Sequence, residues 1–335
     1  MTERGRGALL LAGGFLACVA VAAAAPLVGH RAIDVGRALA EWGDPRSADA
    51  FIFFRLRLPR VLCALLVGGG LSLAGLGLQA LTRNGLASEY TLGVASGGAF
   101  GAVVTLRLGW TAVFLGLPAT ALGALAGAGL VAVLVLGWAG RGRFDAGSLL
   151  LAGVTIGMIA SAGILFVQYL ADATQSHLMV RWLMGGLDVV GYGGLLGILP
   201  FLLAGGLLVG LHAAELNQLL QGDELAEARG VAVTRVRGAV LAGVALLTGA
   251  AVSVAGPIGF VGLIVPHTVR LAAGLDHRRT VPLVVLWGGV FLALCDTAAR
   301  SVWAAEVPVG VLTALIGGPF FLWVLGSRRR QVRVL

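Results

Sequence analysis

The sequence predicts an all-α polytopic membrane protein with about ten transmembrane helices. Hydrophobic residues make up 58% of the chain and charged residues 12%, and mean hydropathy is +0.95. Uncharged runs such as 8–29, 61–81 and 239–266 reach the roughly 20 residues an α-helix needs to cross about 30 Å of hydrocarbon. A transmembrane β-barrel is excluded, because its strands would alternate over roughly 10 residues instead of running continuously apolar.

In chain order, the first run (8–28) follows the basic start MTERGR and ends in alanines. That pattern suits a signal peptide or a first span; its length and the charge balance favour a retained helix. FRLRLPR, with Arg55, Arg57 and Arg60, leads into a second span near 60–81. Polar turns then separate spans near 90–107, 112–137, 147–170, 191–212, 238–255, 258–274, 281–299 and 308–326. SLAG at 72–75 and SVAG at 253–256, each inside an apolar run that follows an arginine pair, hint at an inverted repeat of the kind transporters use.

The chain has no lysine, so its basic charge is all arginine. With the N-terminus inside, fifteen of the 24 arginines are cytoplasmic: Arg4, Arg6, Arg83, Arg141, Arg143, Arg229, Arg235, Arg237, Arg270, Arg278, Arg279, Arg328, Arg329, Arg330 and Arg333. This bias predicts both termini in the cytoplasm. Six of the remaining arginines crowd the outer loop 29–60, where they would meet an acidic partner or phospholipid headgroups.

Little in the chain suits catalysis. The histidines (His30, His177, His212, His267 and His277) form no HxxxH or HExxH pair, and Cys18, Cys63 and Cys295 sit singly in apolar runs, so no metal site is expected. A P-loop needs a lysine to reach the phosphates, and none exists. Asp296 and Glu306 flank the outer end of the last hairpin, and no carboxylate pair falls at a span centre, where a proton relay would put one. A secondary transporter would need such a buried carboxylate. Pro- and Gly-bearing stretches, GPIGFVGLIVPH (256–267) and VPVGVLTALIGGPFF (307–321), predict broken helices, which lipid tolerates only where protein or a water-filled cavity covers the freed backbone. Pro257, Gly259, Pro266 and His267 are therefore candidate path residues, although His267 also reads as a packing histidine.

Seven stretches together carry a resemblance: 57–102 (RLPRVLCALLVGGG to SGGAFGA), LLLAG (149–153), RWLMGGL (181–187), GDELAEARGVAV (222–233), GPIGFVGLIVPHTVRL (256–271), DHRR (276–279) and VPVGVLTALIGGPFFLWVL (307–325). They resemble FecCD-type permease subunits of iron-chelate and cobalamin ABC importers, from about residue 50 to the C-terminus. The resemblance implies a single permease domain over 1–335 with the type II importer fold, like that of the cobalamin importer, in the bacterial cytoplasmic membrane. It implies a homodimer that joins two ATPase subunits and an extracytoplasmic, periplasmic or lipid-anchored, binding protein. ATP and magnesium would sit on the ATPase, with no cofactor and no nucleic acid on this chain.

It also implies residue roles. The polar segment at about 214–236 would couple to the ATPase through Gly222, Asp223, Glu224, Ala228 and Gly230, the glycines turning a short helix at its ends. Arg57, Arg60 and Arg300 would meet acidic residues of the binding protein as rim charges, and Ala146 and Gly147, between the fourth and fifth spans, would mark the cytoplasmic gate. Asn84-Gly85-Leu86-Ala87 stands where relatives commonly have Asn-Pro-Leu-Ala, and Arg229 replaces a usual aliphatic residue. The expected cargo is an iron chelate, siderophore or haem, with cobalamin the alternative; His177, Met179 and Met184, in the outer loop after the fifth span, would be transient haem-iron ligands at most.

Overall fold

Ser47 starts the longest helical stretch by accepting a hydrogen bond on Oγ from Ala50 N (3.3 Å). In the computed structural model, which describes residues 3–29, 31–44, 46–114, 116–139, 146–302 and 306–332, this stretch runs from α3 (Ala48–Phe51) through a widened π turn (Ile52–Arg57) into α4 (Leu58–Thr82). Pro59 explains the widened turn. Proline has no N–H for the carbonyl four residues back and its ring crowds that carbonyl; here the Arg55 carbonyl accepts instead from Gly191 N (2.7 Å).

The other elements are α1 (Glu3–Ala24), α2 (Val35–Ala40), α5 (Val94–Arg107), a hairpin of β1 (Val113–Phe114) and β2 (Leu117–Pro118), α6 (Ala119–Ala139), α7 (Ala146–Tyr169), α8 (Ala173–Leu183), α9 (Gly193–Leu211), α10 (Ala213–Leu219), α11 (Asp223–Ala228), α12 (Val233–Ala255), α13 (Val261–Ala273), α14 (His277–Ala299) and α15 (Val309–Val332). Each of the ten expected spans is a helix. Among the described residues, seven helical stretches, Gly5–Leu27, Ala48–Thr82, Ala119–Gly137, Gly147–Tyr169, Gly193–Leu211, Val233–Ala255 and His277–Ala299, are long and apolar enough to cross a membrane; α5, α13 and the apolar Val309–Val324 are shorter.

Several boundaries differ from expectation. The helix expected from 112 starts at Ala119, because Val113 and Phe114 pair with Pro118 and Leu117. Helices expected from 90 and 258 start at Val94 and Val261, each after a residue in the left-handed region: Gly93 (φ +72°) and Phe260 (φ +69°). A long helix, a non-helical connection, a left-handed cap and a short helix thus occur twice, in α4–α5 and α12–α13. As the second and seventh spans, α4 and α12 run in opposite directions, as in an inverted repeat. The four-letter echo does not mark equivalent positions, since Ser72 is in mid-helix and Ser253 lies in the last turn of α12.

α4 is the central strut, packed on α9, α12, α13 and α14, while α5, α6 and α7 form a second group joined through α12. Lipid is as apolar as leucine, so helices in a membrane associate through close packing. At the α4–α13 crossing a Cβ on Gly75 would overlap the Gly262 carbonyl oxygen, and at the α4–α14 crossing one on Gly68 would overlap that of Gly288. The approach brings Gln79 Nε2 within 3.1 Å of the Gly262 oxygen.

At the N-terminal end of α4, Arg60 pairs with Asp296 of α14 (2.9 Å) and Glu306 (3.0 Å), and Arg300 Nε lies 3.4 Å from Asp296. Asp296 is fully buried. Burying a carboxylate is costly unless opposite charge meets it, and two guanidiniums do so here. Arg57 donates to the carbonyls of Pro26 (3.2 Å), Leu27 (3.3 Å) and Arg31 (2.5 Å), and Arg300 to those of Ala25 (2.5 Å) and Val28 (2.6 Å). These two arginines clamp the segment after α1 onto the bundle.

Two outcomes are expected in thermal unfolding of the detergent-solubilised protein. Gly75→Val should destabilise by at least about 1–3 kcal/mol through overpacking, whereas Gly129→Val, where a Cβ meets nothing within 4 Å, should leave the transition unmoved. Asp296→Ala, which takes the buried carboxylate from Arg300 and leaves Arg60 only Glu306, should cost about 3–5 kcal/mol; Glu306→Ala, at a partly exposed pair, should cost under about 1 kcal/mol.

Candidate translocation path and coupling segment

Three chain breaks meet at one place. α8 ends at Leu183 and Gly185 takes a left-handed turn (φ +72°), α12 ends at Gly256 (φ +63°), and α15 begins after Pro308. The freed backbone groups satisfy one another: Gly186 N donates to the Ala255 oxygen (2.8 Å) and Gly310 N to the Gly185 oxygen (3.1 Å). Buried backbone groups need such partners. Beside this junction lies an open cavity of about 650 Å³ whose lining includes Ser88, Tyr90, Met184, Pro257, Gly259 and Phe260. Phe260 is bulky yet has positive φ, a conformation that persists where the surroundings impose it; its ring packs against Gly317 and lies 6.4 Å from that of Phe321.

Of the candidate path residues, Pro257 and Gly259 line this cavity. Pro266 is buried inside α13, and the His267 ring lies 6.1 Å from Phe320 and 6.2 Å from Phe321, on the α13–α15 contact. Ala146 and Gly147 are not in a loop: they open α7, and residues 140–145 before them, with Arg141 and Arg143, lie outside the described residues, as does His30. The outer loop after the fifth span is the helix α8. Met179 is fully buried there, packed with Ala99, Val103 and Ile164, and so is withheld from cargo; His177 is exposed, and Met184 reaches the cavity wall.

The outer arginines also differ from expectation. Arg57 and Arg300 are 8% and 4% exposed, so their guanidiniums serve the clamp on residues 25–31 and are not free rim charges. Arg60 finds elsewhere in the chain the acids that FRLRLPR lacks, Asp296 and Glu306. The sequence did hold a sign of this, for Asp296 and Arg300 stand four apart on one helix, where opposite charges meet. On the same outer loop, Arg31, Arg46 and Arg55 are exposed.

The polar segment folds as two short helices. Gly222 (φ +118°) caps α11, and Gly230 (φ +84°) closes it: Gly230 N bonds to the Glu227 oxygen (2.9 Å) and Val231 N to the Ala226 oxygen (3.0 Å). This double bond pattern is a Schellman stop, which needs a left-handed residue at the glycine. Asp223 is held by Arg83, just past α4, and by Arg237 of α12 (2.8 Å); Arg83 Nε also donates to the Leu219 oxygen (2.8 Å). Asn217 of α10 donates to Asp276 (2.7 Å) and accepts from His277 N (2.8 Å), which ties the segment to the start of α14.

Partial burial opposes the charge on Asp276, but hydrogen bonds from Asn217 and Arg278 N, with the charges of Arg279 and Arg278, outweigh it and hold the carboxyl below its ordinary value. Glu224, Leu225, Glu227, Ala228 and Arg229 remain exposed. The segment is therefore a rigid, partly acidic knob fixed to the ends of α4, α12 and α14. Sequence reasoning missed the anchors Arg83, Asn217 and Asp276, because no local pattern links residues 59 to 140 positions apart.

The chain matches the FecCD transport family over residues 13–327. It is 40% identical to the cobalamin import system permease protein BtuC of Halobacterium salinarum, covering 88% of this chain and 78% of that one. It is 38% identical to the hemin transport system permease protein HmuU of Yersinia pestis, covering 84% of each. Its fold aligns with a TM-score of 0.82 and 30% identity to a solved inward-facing conformation of a metal-chelate type ABC transporter, over 95% of this chain and 99% of that one. The chain belongs to the FecCD transport family and is a permease of ATP-binding cassette importers.

Proposed function

We propose that this permease imports a metal chelate, with an iron chelate such as a ferric siderophore or haem as the first reading and cobalamin as the alternative. It works as a homodimer with two ATPase subunits and an extracytoplasmic binding protein. The observation that carries the reading is the α10–α11 knob, whose exposed face bears Glu224, Leu225, Glu227 and Ala228 while its base is pinned to three spans. A partner ATPase that closes on nucleotide would push a rigid lever, and rigid elements transmit such displacements without absorbing them.

The homodimer reading is supported by α7 and α15, whose apolar residues Leu151, Met158, Leu165, Leu315 and Leu322 are exposed in the single chain. The cavity beside the chain breaks reaches Leu315, so a second copy on this face would enclose a shared path lined mainly by small and apolar groups. Such a path holds cargo weakly, which lets it leave. The arginine bias supports cytoplasmic termini and a cytoplasmic knob. The outer face, with Arg31, Arg46 and Arg55 exposed, would receive the binding protein, and such charges chiefly set register and encounter rate.

Because Asp223 also holds the fold, Glu224 gives the cleaner test. In proteoliposomes containing the permease and its ATPase, with binding protein preloaded with ferric siderophore, haem or cobalamin, one chelate should enter only with ATP. Glu224→Arg should reduce that uptake roughly tenfold, a loss of about 1.4 kcal/mol in docking, at unchanged thermal stability. ATP-independent uptake, equal in the variant, would sink the reading.

A further inference from the structure

Glu89 has no place in the mechanism above and no place in the sequence reading, which found no buried carboxylate near the path. It lies in the connection 83–93 between α4 and α5, is 1% exposed, and among the described residues neither carboxyl oxygen has a hydrogen-bond partner. Its Oε2 is 2.5 Å from where a Cβ on Gly262 would stand, beside the Gly75–Gly262 crossing of α4 and α13. Its neighbours Ser88 and Tyr90 line the path cavity. The connection is tightly built: Ser88 N donates to Thr91 Oγ1 (3.1 Å), and that hydroxyl donates back to the Ser88 oxygen (2.6 Å). A carboxyl at this point is therefore linked to the cavity wall through its two adjacent residues.

Among the described residues, no cation pairs with it. On α13 the ionisable groups are His267, stacked with Phe320 and Phe321, and Arg270, bound to Gln79. On α4 they are Arg60 and Cys63 at the far outer end, and α7, packed on the connection at Gly153, has only Tyr169 at its far end. Within the connection itself are Tyr90 and Arg83, the latter paired with Asp223. An unpaired carboxylate without water is costly, so the group stays neutral while it is packed and must be hydrated when ionised.

We propose that Glu89 is a proton site in the wall of the translocation path: filled, it keeps the 83–93 connection dry against the α4–α13 crossing; empty, it draws water in and shifts Ser88 and Tyr90. The consequence for transport rests on the importer reading; the proton site does not. Burial pushes the Glu89 carboxyl from an ordinary value of 4.5 up to about 7. The packed arrangement thus binds more protons than a hydrated one, so its advantage is full below the ordinary value and is lost as pH rises through the raised one.

Infrared spectra of the purified permease test the site directly. The wild type should show a protonated-carboxyl C=O band that is absent in Glu89→Gln and fades with a midpoint near pH 7. No band difference, or one that titrates near the ordinary carboxylate value, would overturn the proposal. Should Glu89→Gln fail to fold, Glu89→Leu, which keeps the site apolar, serves in the comparison.

In proteoliposomes with the ATPase and loaded binding protein, uptake per ATP hydrolysed should change at least about threefold in the wild type between about pH 5.5 and 8.5. In Glu89→Gln it should stay flat at the wild-type low-pH level. Parallel profiles in the two proteins would overturn the link to the path. ATP-independent uptake alongside a titrating Glu89 band would overturn the importer reading and leave the proton site standing.

Discussion

The closeness of α4 to α13 and α14 is the constraint on which the rest of the molecule depends. Membrane helices gain little from hiding apolar side chains from lipid, so contact at the distance glycine allows becomes a main source of cohesion. Gly75 against Gly262 and Gly68 against Gly288 leave no space for a Cβ. The same approach lets Gln79 satisfy the Gly262 carbonyl and leaves Glu89 buried beside it.

From that crossing α4 extends to both faces of the bundle. At its outer end Arg60 joins the fully buried Asp296; just past its other end Arg83 holds Asp223 and the Leu219 carbonyl. One helix therefore connects the ion network around Asp296, the cavity-side crossing and the α10–α11 knob. Charge is concentrated at the ends of this strut, where pairing offsets desolvation, and the middle is left to small and apolar residues.

Around the cavity, regular helix gives way to Met184–Gly186, Gly256–Phe260 and the turn before Gly310. These breaks survive because their backbone groups bond to each other, so the irregular region is a connected unit in place of three separate defects. Movement of α13 or α15 would therefore be felt at the other breaks, through the backbone bonds that join them.

The sequence by itself determined the class of fold, the ten helical runs, the broken stretch around Pro257 and Gly259, and the capped helix between Gly222 and Gly230. These are local properties: apolar length, helix breakers and left-handed caps act over a few residues, so a linear reading finds them. It failed where distant parts meet. Arg57 and Arg300 looked like rim charges because the carbonyls that occupy them belong to residues 25–31, far away in the chain. Met179 looked available until α8 folded it inward, and Glu89, which the sequence reading passed over, is buried beside Gly262, 173 positions away in the chain. Burial and pairing are set by the tertiary arrangement, because they depend on which segments share a neighbourhood, and that information is carried by the whole chain together.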